Sequence, residues 1–161
     1  NTDFQQRAEE IGLGEYEVLT LASIVEKETG ADSDRPKIAS VFHNRLKLRM
    51  RLDSDPTVIY GLKNFNGNLT RKHLRARTPY NTYKRYGLPP TPITSPGKAS
   101  LQSVLYPAEN KFLYFVARGD GSSKFSKTLR EHNKAVWYFQ KVRKNRKAMS
   151  RKRKQASSAK L

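Results

Sequence analysis

Hydrophobic residues recur at helical spacing in the early part of the chain. Residues 15–29 carry apolar side chains at positions i, i+3, i+4 and i+7, namely Val18, Leu21, Ala22 and Val25. This spacing predicts an amphipathic helix that ends at Gly30. A second helix is predicted to begin with Asp34 as its N-cap residue and Pro36 in its first turn. The buried stripe of this second helix is expected to consist of Ile38, Val41, Phe42 and Leu46.

The middle of the chain changes from helical periodicity to turns. Residues 53–66 are rich in turn-forming residues, and the Asp55-Pro56 pair predicts an extended entry into the apolar run of residues 58–60. A short helix is expected after Thr70. Residues 78–97 contain five Pro and two Gly in twenty residues, which excludes a helix. A loop of this length inside a compact domain is usually functional.

The last part of the chain combines helices with a hairpin. Residues 100–106 predict a short helix, and a Gly-Asp-Gly turn between strands at residues 112–117 and 123–126 predicts a β-hairpin. A final helix is predicted over about residues 128–145. Its core-facing side chains are expected to be Leu129, Val136 and Trp137. The sequence thus predicts an α+β fold, a single compact domain of several helices with a small antiparallel sheet.

The charge of the chain is strongly positive and unevenly distributed. The 161 residues carry 32 Lys and Arg against 14 Asp and Glu, a net charge of +18. Residues 1–55 are slightly acidic, whereas residues 56–108 hold 8 basic and residues 141–161 hold 10 basic residues with no acidic one. These differences predict a domain over residues 1–145 and a basic, disordered tail over residues 146–161. The tail is either a solvated extension or an arm that binds an anionic lipid surface or a nucleic acid.

Several classes of protein are excluded by what the sequence lacks. It has no apolar run long enough to span a membrane, and it opens on a polar stretch where a signal peptide would be apolar. The missing initiator Met suggests a mature form or an excised fragment. Because the sequence has no Cys, disulfides, thiolate metal sites and Cys nucleophiles are excluded.

The sequence offers no pattern for a metal or a cofactor. The three His residues are His43, His73 and His132. Their spacing does not bring three or four ligands together, so no metal site is expected. No glycine-rich loop for a phosphate or a dinucleotide occurs, so no cofactor is expected either. Asp53 and Asp55 come just before Pro56, where turn formation and capping are sufficient to explain them.

Two carboxyl groups on the first predicted helix are candidates for acid–base chemistry. Glu26 and Glu28 lie two positions apart and project about 200° from each other, so they cannot form a facing pair. Glu28 lies over larger apolar neighbours than Glu26, namely Leu21, Ile24 and Val25. Contact with such side chains disfavours the charged form and raises the pKa of a carboxyl. The alternative is that both are surface glutamates paired with Lys27 or Lys37.

Five stretches of the sequence occur in the order and spacing of one protein family. They are LASIVEKET at 21–29, ASVFHNRLKLRMRLDSDPTVIYG at 39–61, TPYNTYKRYGLPPTPITSPG at 78–97, LYFVARGDGSSKFS at 113–126 and HNKAV at 132–136. On these residues the chain resembles the YceG-like (MltG) family of endolytic murein transglycosylases. The resemblance covers roughly residues 16–140.

This resemblance implies a lytic transglycosylase. Such an enzyme cuts the β-1,4 bond between N-acetylmuramic acid and N-acetylglucosamine within a peptidoglycan strand, uses no water and leaves a 1,6-anhydromuramic end. The family's essential glutamate is the second of the IVEKE motif, which corresponds to Glu28. One carboxyl is sufficient for this chemistry, because the C6 hydroxyl of the sugar itself attacks C1. Glu28 is therefore expected to act first as acid and then as base.

The resemblance also implies that the loop of residues 78–97 lines the glycan cleft. The residues expected to bind substrate are Tyr80, Asn81, Thr82, Tyr83 and Asp55. The tyrosines offer ring faces to sugars, and Asn81 offers an amide to an N-acetyl group or to the glutamate. The alternative is that the tyrosines only brace a Pro-rich loop. The basic middle segment suits a substrate whose stem peptides carry carboxylates.

The resemblance further implies surroundings and partners. Family members usually carry an N-terminal membrane helix and a small LysM-like domain, and neither is present in this sequence. The chain is therefore expected to be the catalytic part of a membrane-anchored enzyme that faces the cell wall. Its expected partners are peptidoglycan strands and proteins of cell-wall synthesis or division, with the basic tail on an anionic surface. Two alternatives stay open: a nucleic-acid-binding protein, which the concentration of charge in the tail disfavours, and a glycan-binding domain without turnover.

Overall fold

The structure, a computed structural model, describes residues 2–159, and of Thr2 only the backbone. Its helices are α1 (Thr2–Glu10), α2 (Glu15–Glu28), α3 (Arg35–Lys47), α4 (Asp55–Gly61), α5 (Arg71–Leu74), α6 (Lys98–Leu105) and α7 (Leu129–Ser158). Its strands are β1 (Tyr114–Ala117) and β2 (Ser123–Ser126), and a short 3-10 helix, Asp32–Asp34, precedes α3. Several helices with one small antiparallel sheet confirm the predicted α+β class.

Helix α2 lies in the core, where it packs against α3 and α6. All four residues of its predicted stripe are buried, and Ile24 beside them is buried as well. A helix that is apolar over such a wide arc is enclosed by its neighbours. Glu28 is its last residue and Thr29 its C-cap. Helix α2 therefore places the Glu28 carboxyl where the core ends.

Helix α3 begins where the sequence predicts, with Asp34 at the N-cap position and Pro36 in the first turn. Three of its four predicted stripe residues are buried, and Leu46 is partly buried. The Asp34 carboxylate accepts a hydrogen bond from the backbone N–H of Ser123 at 2.8 Å. Asp34 thus ties the hairpin to the start of α3 instead of capping the helix with its side chain.

Helix α4 corrects one expectation. The sequence predicts an extended entry into residues 58–60, but these residues lie within the helix Asp55–Gly61. The physical reason is that Pro56 occupies the first turn of α4, where its fixed φ suits a helix and its missing N–H has no partner to lose. The extended residue is Ser54, the N-cap, one position earlier than expected.

The sequence predicts α5 and the irregular segment after it, but it does not predict α1. Helix α5 follows Thr70 as predicted, and Thr70 caps it by accepting from the His73 N–H. Residues 75–97, all within the described part of the chain, contain neither helix nor strand, as the Pro-rich composition predicts. Helix α1 has no counterpart among the predicted elements, because it buries only Ala8 fully among its described residues and shows little apolar periodicity.

The hairpin packs its turn against the end of α2. Tyr114 pairs with Ser126 and Ala117 with Ser123 in antiparallel register. The first strand begins two residues later than predicted, and the second spans the predicted residues. A Cβ atom on Gly30 would overlap the carbonyl oxygen of Gly121 in the turn, so only glycine at position 30 allows this close approach. The turn and the end of α2 are therefore held together next to Glu28.

Helix α7 departs from its prediction in what it buries. It packs on both strands of the hairpin, but Leu129 is 55% and Trp137 is 63% exposed. The expectation that these two side chains face the core is wrong, whereas Val136 is partly buried. The core is already filled by α2, α3 and α6, so α7 covers the hairpin with one face only.

The same helix continues into the predicted tail. Residues 146–158 are helical and fully exposed in the structure, where the sequence predicts disorder. The segment after Gly121 contains neither Gly nor Pro, and Lys, Arg, Gln and Ala are strong helix formers. Residues 160 and 161 lie outside the described residues, and a domain boundary at residue 145 stays a prediction.

Candidate active site

Glu28 opens into a cavity of about 440 Å³ at the end of α2. Helix α3, the segment before α4, the hairpin and the first turns of α7 contribute to its lining. The lining residues are Glu28, Val41, Phe42, Arg45, Leu52, Asp53, Asp55, Tyr83, Tyr114, Phe115, Leu129, His132 and Asn133. Apolar and aromatic side chains with a few ionisable groups among them are typical of a ligand-binding site.

The pKa of the Glu28 carboxyl lies near neutral pH. Burial raises its pKa to about 7. The Ser54 hydroxyl donates a hydrogen bond to Glu28 Oε1 at 2.8 Å, which favours the ionised form and lowers the pKa. The negative charge of Asp55 acts in the same direction as burial. At neutral pH both protonation states of Glu28 are therefore populated, which suits a group that donates a proton and then accepts one.

The backbone before α4 aims Ser54 at Glu28. Asp53 adopts a left-handed conformation with φ 49°, which is strained for a residue with a side chain and is found often at functional sites. Ser54 is buried, and its N–H donates to Thr82 Oγ1 at 2.9 Å. Ser54 is absent from the predicted site. Its position between two acidic residues, two residues before a Pro that suits the first turn of a helix, is the signal that marks it.

Asp55 and Tyr83 form a second polar pair in the cavity. The Tyr83 hydroxyl donates to Asp55 Oδ1 at 2.7 Å. Burial and this hydrogen bond raise the pKa of Tyr83 well above its ordinary value, so its hydroxyl stays protonated and remains a donor. The structure thus brings three of the predicted site residues, Glu28, Asp55 and Tyr83, to one cavity.

Arg45, on α3, holds the hairpin side of the cavity. Its Nε donates to the Leu113 carbonyl at 2.7 Å and its Nη1 to the Arg51 carbonyl at 2.9 Å. Its Nη1 also lies 3.5 Å from Asp53 Oδ2. The guanidinium covers the ring of Tyr114, with Cζ 5.0 Å from the ring centroid. One side chain therefore connects α3, the strained segment and the hairpin.

His132 continues this stack from α7. Its ring lies nearly parallel to that of Tyr114, with the centroids 5.0 Å apart. Burial and, secondarily, the positive charge of Arg45 lower the pKa of His132, which keeps the ring neutral near neutral pH. Its Nδ1 is buried and has no hydrogen-bond partner among the described residues. Arg45, Tyr114, His132 and Asn133 are all missing from the predicted site, although all four belong to stretches that carry the family resemblance.

Tyr80 and Thr82, two of the predicted substrate-binding residues, lie outside the lining of this cavity. The Tyr80 ring packs edge-to-face on that of Tyr60, with the centroids 4.8 Å apart, and its hydroxyl lies 2.8 Å from that of Thr91. Thr82 is buried, and its hydroxyl accepts from the N–H of Ser54. Thr82 contacts the site by accepting hydrogen bonds from the backbone N–H groups of Ser54 and Asp53. Substrate binding by Tyr80 and Thr82 stays a prediction.

Asn81 also lies outside the lining of the cavity. Its side chain is fully buried. Its amide donates to the carbonyls of Leu74 and Ala76 at 3.0 and 2.6 Å, and its Oδ1 accepts from the Tyr83 N–H at 2.9 Å. Both amide hydrogens are therefore used inside the protein. Through these bonds Asn81 fixes the loop that presents Tyr83, and its expected contact with an N-acetyl group or with Glu28 stays a prediction.

The loop of residues 78–97 contributes less to the cavity than the sequence predicts. Of these residues, all of which the structure describes, Tyr83 alone lines it. The hairpin and α7 provide much of the remaining lining. Glu26, the other carboxyl considered on α2, points elsewhere, because it accepts a hydrogen bond from Ser100 in the first turn of α6. Its role there is to stabilise the start of α6.

Within residues 2–159, no three His, Asp or Glu side chains converge in a way that could hold a metal ion. None of the helices in the same part of the chain is long and apolar enough to cross a membrane.

Comparisons with known proteins agree on one family. A profile of the YceG-like family matches residues 1–137. The endolytic murein transglycosylase of Bacillus subtilis (strain 168) is 47% identical over 120 residues, which make up 74% of this chain and 33% of that protein. The endolytic murein transglycosylase of Streptococcus pneumoniae (serotype 2, strain D39) is 34% identical over 126 residues, 74% of this chain and 23% of that protein.

A solved structure shows the same similarity in three dimensions. The crystal structure of a YceG-like protein from Listeria monocytogenes superposes with a TM-score of 0.74 at 45% identity, covering 82% of this chain and 42% of that one. The chain spans less than half the length of these relatives. Because the family profile covers most of the sequence and the fold agrees, the chain belongs to the YceG-like family.

Proposed function

We propose that this chain is the catalytic domain of an endolytic lytic transglycosylase. The proposed substrate is the β-1,4 bond between N-acetylmuramic acid and N-acetylglucosamine in peptidoglycan, and the proposed product is a 1,6-anhydromuramic end. The observation that carries the proposal is the Glu28 carboxyl, which lies in a cavity, is hydrogen-bonded to Ser54 and has its pKa raised to about 7. The relatives named endolytic murein transglycosylases support the same substrate.

The proposed reaction uses Glu28 twice. As the bond between C1 of N-acetylmuramic acid and the bridging oxygen breaks, the protonated carboxyl gives its proton to that oxygen. The carboxylate then takes the proton of the C6 hydroxyl while the C6 oxygen forms the new bond to C1. Glu28 ends protonated, as it began, and no water is consumed. Ser54 steadies the carboxylate between the two steps through its hydrogen bond.

A hydrolytic glycosidase is the second candidate, because the cavity brings further carboxyls close to Glu28. Asp53 and Asp55 line the same cavity. Asp55 is engaged by the Tyr83 hydroxyl, and Asp53 lies beside Arg45. Either carboxylate could in principle activate a water in an inverting reaction. Their existing partners make the single-carboxyl mechanism the better match.

The product distinguishes the two candidates. Incubating the chain with peptidoglycan strands and separating the fragments by mass spectrometry gives anhydro ends, one water lighter than reducing ends, if the proposal is correct. Reducing ends would identify a hydrolase instead. Binding of strands without any new ends would identify a glycan-binding domain and contradict both enzymatic candidates.

Substitutions of two neighbours of Glu28 should shift the pH profile of kcat/KM in opposite directions. Because Glu28 must be protonated to start the reaction, kcat/KM is expected to fall above its pKa of about 7. Ser54→Ala removes a hydrogen bond to the ionised form, so the pKa rises and the alkaline limb moves up by about 0.5–1 pH unit. Asp55→Asn removes a negative charge, so the limb moves down. Profiles that shift in the same direction for both variants would contradict the assignment of Glu28 as the titrating acid.

The setting of the domain in the cell is also a proposal. We infer an extracytoplasmic location on the wall side of a membrane-anchored protein, in contact with cell-wall synthesis or division proteins, because the relatives are named for murein and are longer than this chain. Residues 141–158 of α7 carry 9 Lys and Arg and no acidic residue, and nearly all are exposed. We propose that this basic segment contacts an anionic surface of the cell envelope.

Vesicle binding tests the basic segment. The chain is expected to sediment with phosphatidylglycerol vesicles at low salt and to be released as salt is added, but not to sediment with phosphatidylcholine vesicles. A chain ending at residue 145 should lose most of this binding and still cleave soluble strands. Equal binding of the full and shortened chains would contradict the proposal.

A further inference from the structure

An exposed aromatic patch lies on α7 beside the Glu28 cavity. Trp137 is 63% and Tyr138 is 56% exposed. Together with the neighbouring side chains they form a shallow depression of about 780 Å³. Its lining residues are Leu129, Arg130, Asn133, Lys134, Trp137 and Tyr138. Adjacent large aromatic side chains are seldom left in water without a partner, so the patch indicates a contact surface.

The patch is continuous with the cavity of Glu28. Leu129 and Asn133 line both the cavity and the depression. With Trp137 they occupy positions i, i+4 and i+8 of α7, which lie on one face of the helix. The row spans about 12 Å along the helix axis. A linear molecule that leaves the cavity along α7 would therefore pass Asn133 before it reaches Trp137.

We propose that this patch is a sugar-binding subsite that holds a peptidoglycan strand beyond the bond being cut. The inference rests on the proposed function, since it takes the glycan strand as the ligand of the Glu28 cavity. The Trp137 and Tyr138 rings offer flat apolar faces to the C–H faces of a pyranose ring. The Asn133 amide can donate to, or accept from, its hydroxyl or N-acetyl groups.

The charge around the patch suits the same ligand. Arg130 and Lys134 flank the depression, and Lys141 lies over the Trp137 ring with Nζ 5.0 Å from its centroid. Peptidoglycan strands carry carboxylates on their stem peptides, which these cations would attract. An extended subsite also explains how an enzyme acts inside a strand, because it binds several sugars away from the chain end.

The sequence provides a direct probe of the subsite, since Trp137 is its only tryptophan. Peptidoglycan strands of defined length are titrated into the Glu28→Gln chain, which binds without cutting. The expected result is a blue shift of the tryptophan emission and a loss of quenching by acrylamide once strands are bound. Co-sedimentation with insoluble peptidoglycan measures binding independently. Bound strands that leave the emission and quenching of Trp137 unchanged would overturn the proposal.

Kinetics of variants give a second test. In the otherwise native chain, Trp137→Ala is expected to raise the KM for long strands about tenfold, equivalent to about 1.4 kcal/mol, with a much smaller effect on kcat. The matched control is Tyr106→Ala, which removes an equally exposed ring (59%) in a different depression, near Pro36 and Gln102. Equal effects of the two variants would overturn the proposal.

The proposed subsite and the proposed reaction can fail separately. Formation of anhydro ends without any response of Trp137 overturns the subsite and leaves the reaction intact. Shielding of Trp137 by strands in a chain that produces no new ends supports the subsite and contradicts the reaction. Shielding that increases with protein concentration in the absence of glycan would assign the patch to self-association and overturn the subsite.

Discussion

Replacing Glu28 by Gln is expected to lower the rate of strand cleavage by about 10³-fold. Glutamine has nearly the same shape and still accepts the hydrogen bond from Ser54, but it neither gives nor takes a proton. In the proposed reaction both proton transfers pass through this one group, so neither Asp53 nor Asp55 can replace it. The measurement is the rate of anhydro-end formation from peptidoglycan strands under single-turnover conditions.

The matched control for this substitution is Glu26→Gln. Glu26 lies two residues away on the same helix, and its carboxyl accepts a hydrogen bond from Ser100 at the start of α6. Glutamine can keep that hydrogen bond, and the Glu26 side chain does not line the Glu28 cavity. Cleavage by Glu26→Gln should stay within a few-fold of the native rate. Comparable loss in the two variants would contradict a specific role for Glu28.

Measuring the free energy of unfolding of the native and Glu28→Gln chains against pH tests both the folding of the variant and the raised pKa of Glu28. Burial raises the pKa of Glu28 from 4.5 to about 7, so an ionised Glu28 destabilises the folded state. Below pH 4.5 both states hold the proton and the variant gains nothing. As pH rises toward 7 the native chain loses stability relative to the variant. Above this range we expect Glu28→Gln to be more stable by about 3 kcal/mol. A pH-independent difference would contradict the raised pKa.

The burial of Glu28 could be predicted from helical periodicity, but its surroundings could not. Its neighbours Leu21, Ile24 and Val25 predict an apolar contact and a raised pKa, and burial does raise it. The hydrogen bond from Ser54 joins residues 26 positions apart in the sequence. Whether Glu26 is exposed depends on α6, which begins 72 residues later. Periodicity within one helix contains no information about such contacts.

The loop of residues 78–97 shows a second limit of prediction from sequence. Its Pro and Gly content predicts an irregular segment, and the structure agrees. Composition does not determine which side chains of such a loop turn inward. Asn81 is fully buried and bonded to backbone groups, whereas Tyr83, two residues later, lines the cavity. The composition of such a loop therefore does not tell which of its polar side chains lines the cavity.

Helix α7 shows a different kind of wrong prediction. Its apolar residues predict contact with the core, but Leu129 and Trp137 are exposed. Leu129 and Trp137 are at helical spacing, which usually marks a buried face. The core is closed by α2, α3 and α6, and the hairpin lies between that core and α7. Apolar side chains on α7 are left to line the cavity and the depression beside it. Hydrophobic periodicity predicts that a face will be covered, but a ligand can cover it as well as the protein.

Replacing Arg45 by Met is expected to lower the free energy of unfolding by about 3 kcal/mol. Methionine keeps the apolar stem of the side chain and removes the guanidinium. The carbonyls of Leu113 and Arg51, which accept from Arg45 at 2.7 and 2.9 Å, then lose these charged donors. The ring of Tyr114 loses the cation above it. Urea denaturation at neutral pH measures the change.

The matched control is Lys47→Met on the same helix. Lys47 is exposed, so its replacement should change the free energy of unfolding by less than about 0.5 kcal/mol. A loss of less than about 1 kcal/mol in Arg45→Met would show that the hairpin does not depend on this side chain.

Replacing Arg45 by Met should change the cavity as well as the stability of the fold. The positive charge of Arg45 lowers the pKa of His132 and, against the effect of burial, that of Asp53. In Arg45→Met both pKa values should therefore rise, which NMR titration of His132 can follow directly. Tyr114 and His132 stack on the side of the cavity that Arg45 holds. Loss of the guanidinium should disturb this side, so strand cleavage should fall even under conditions where the variant is still folded. An unchanged pKa of His132 in a folded variant would contradict the electrostatic link between α3 and α7, even if the stability falls as expected.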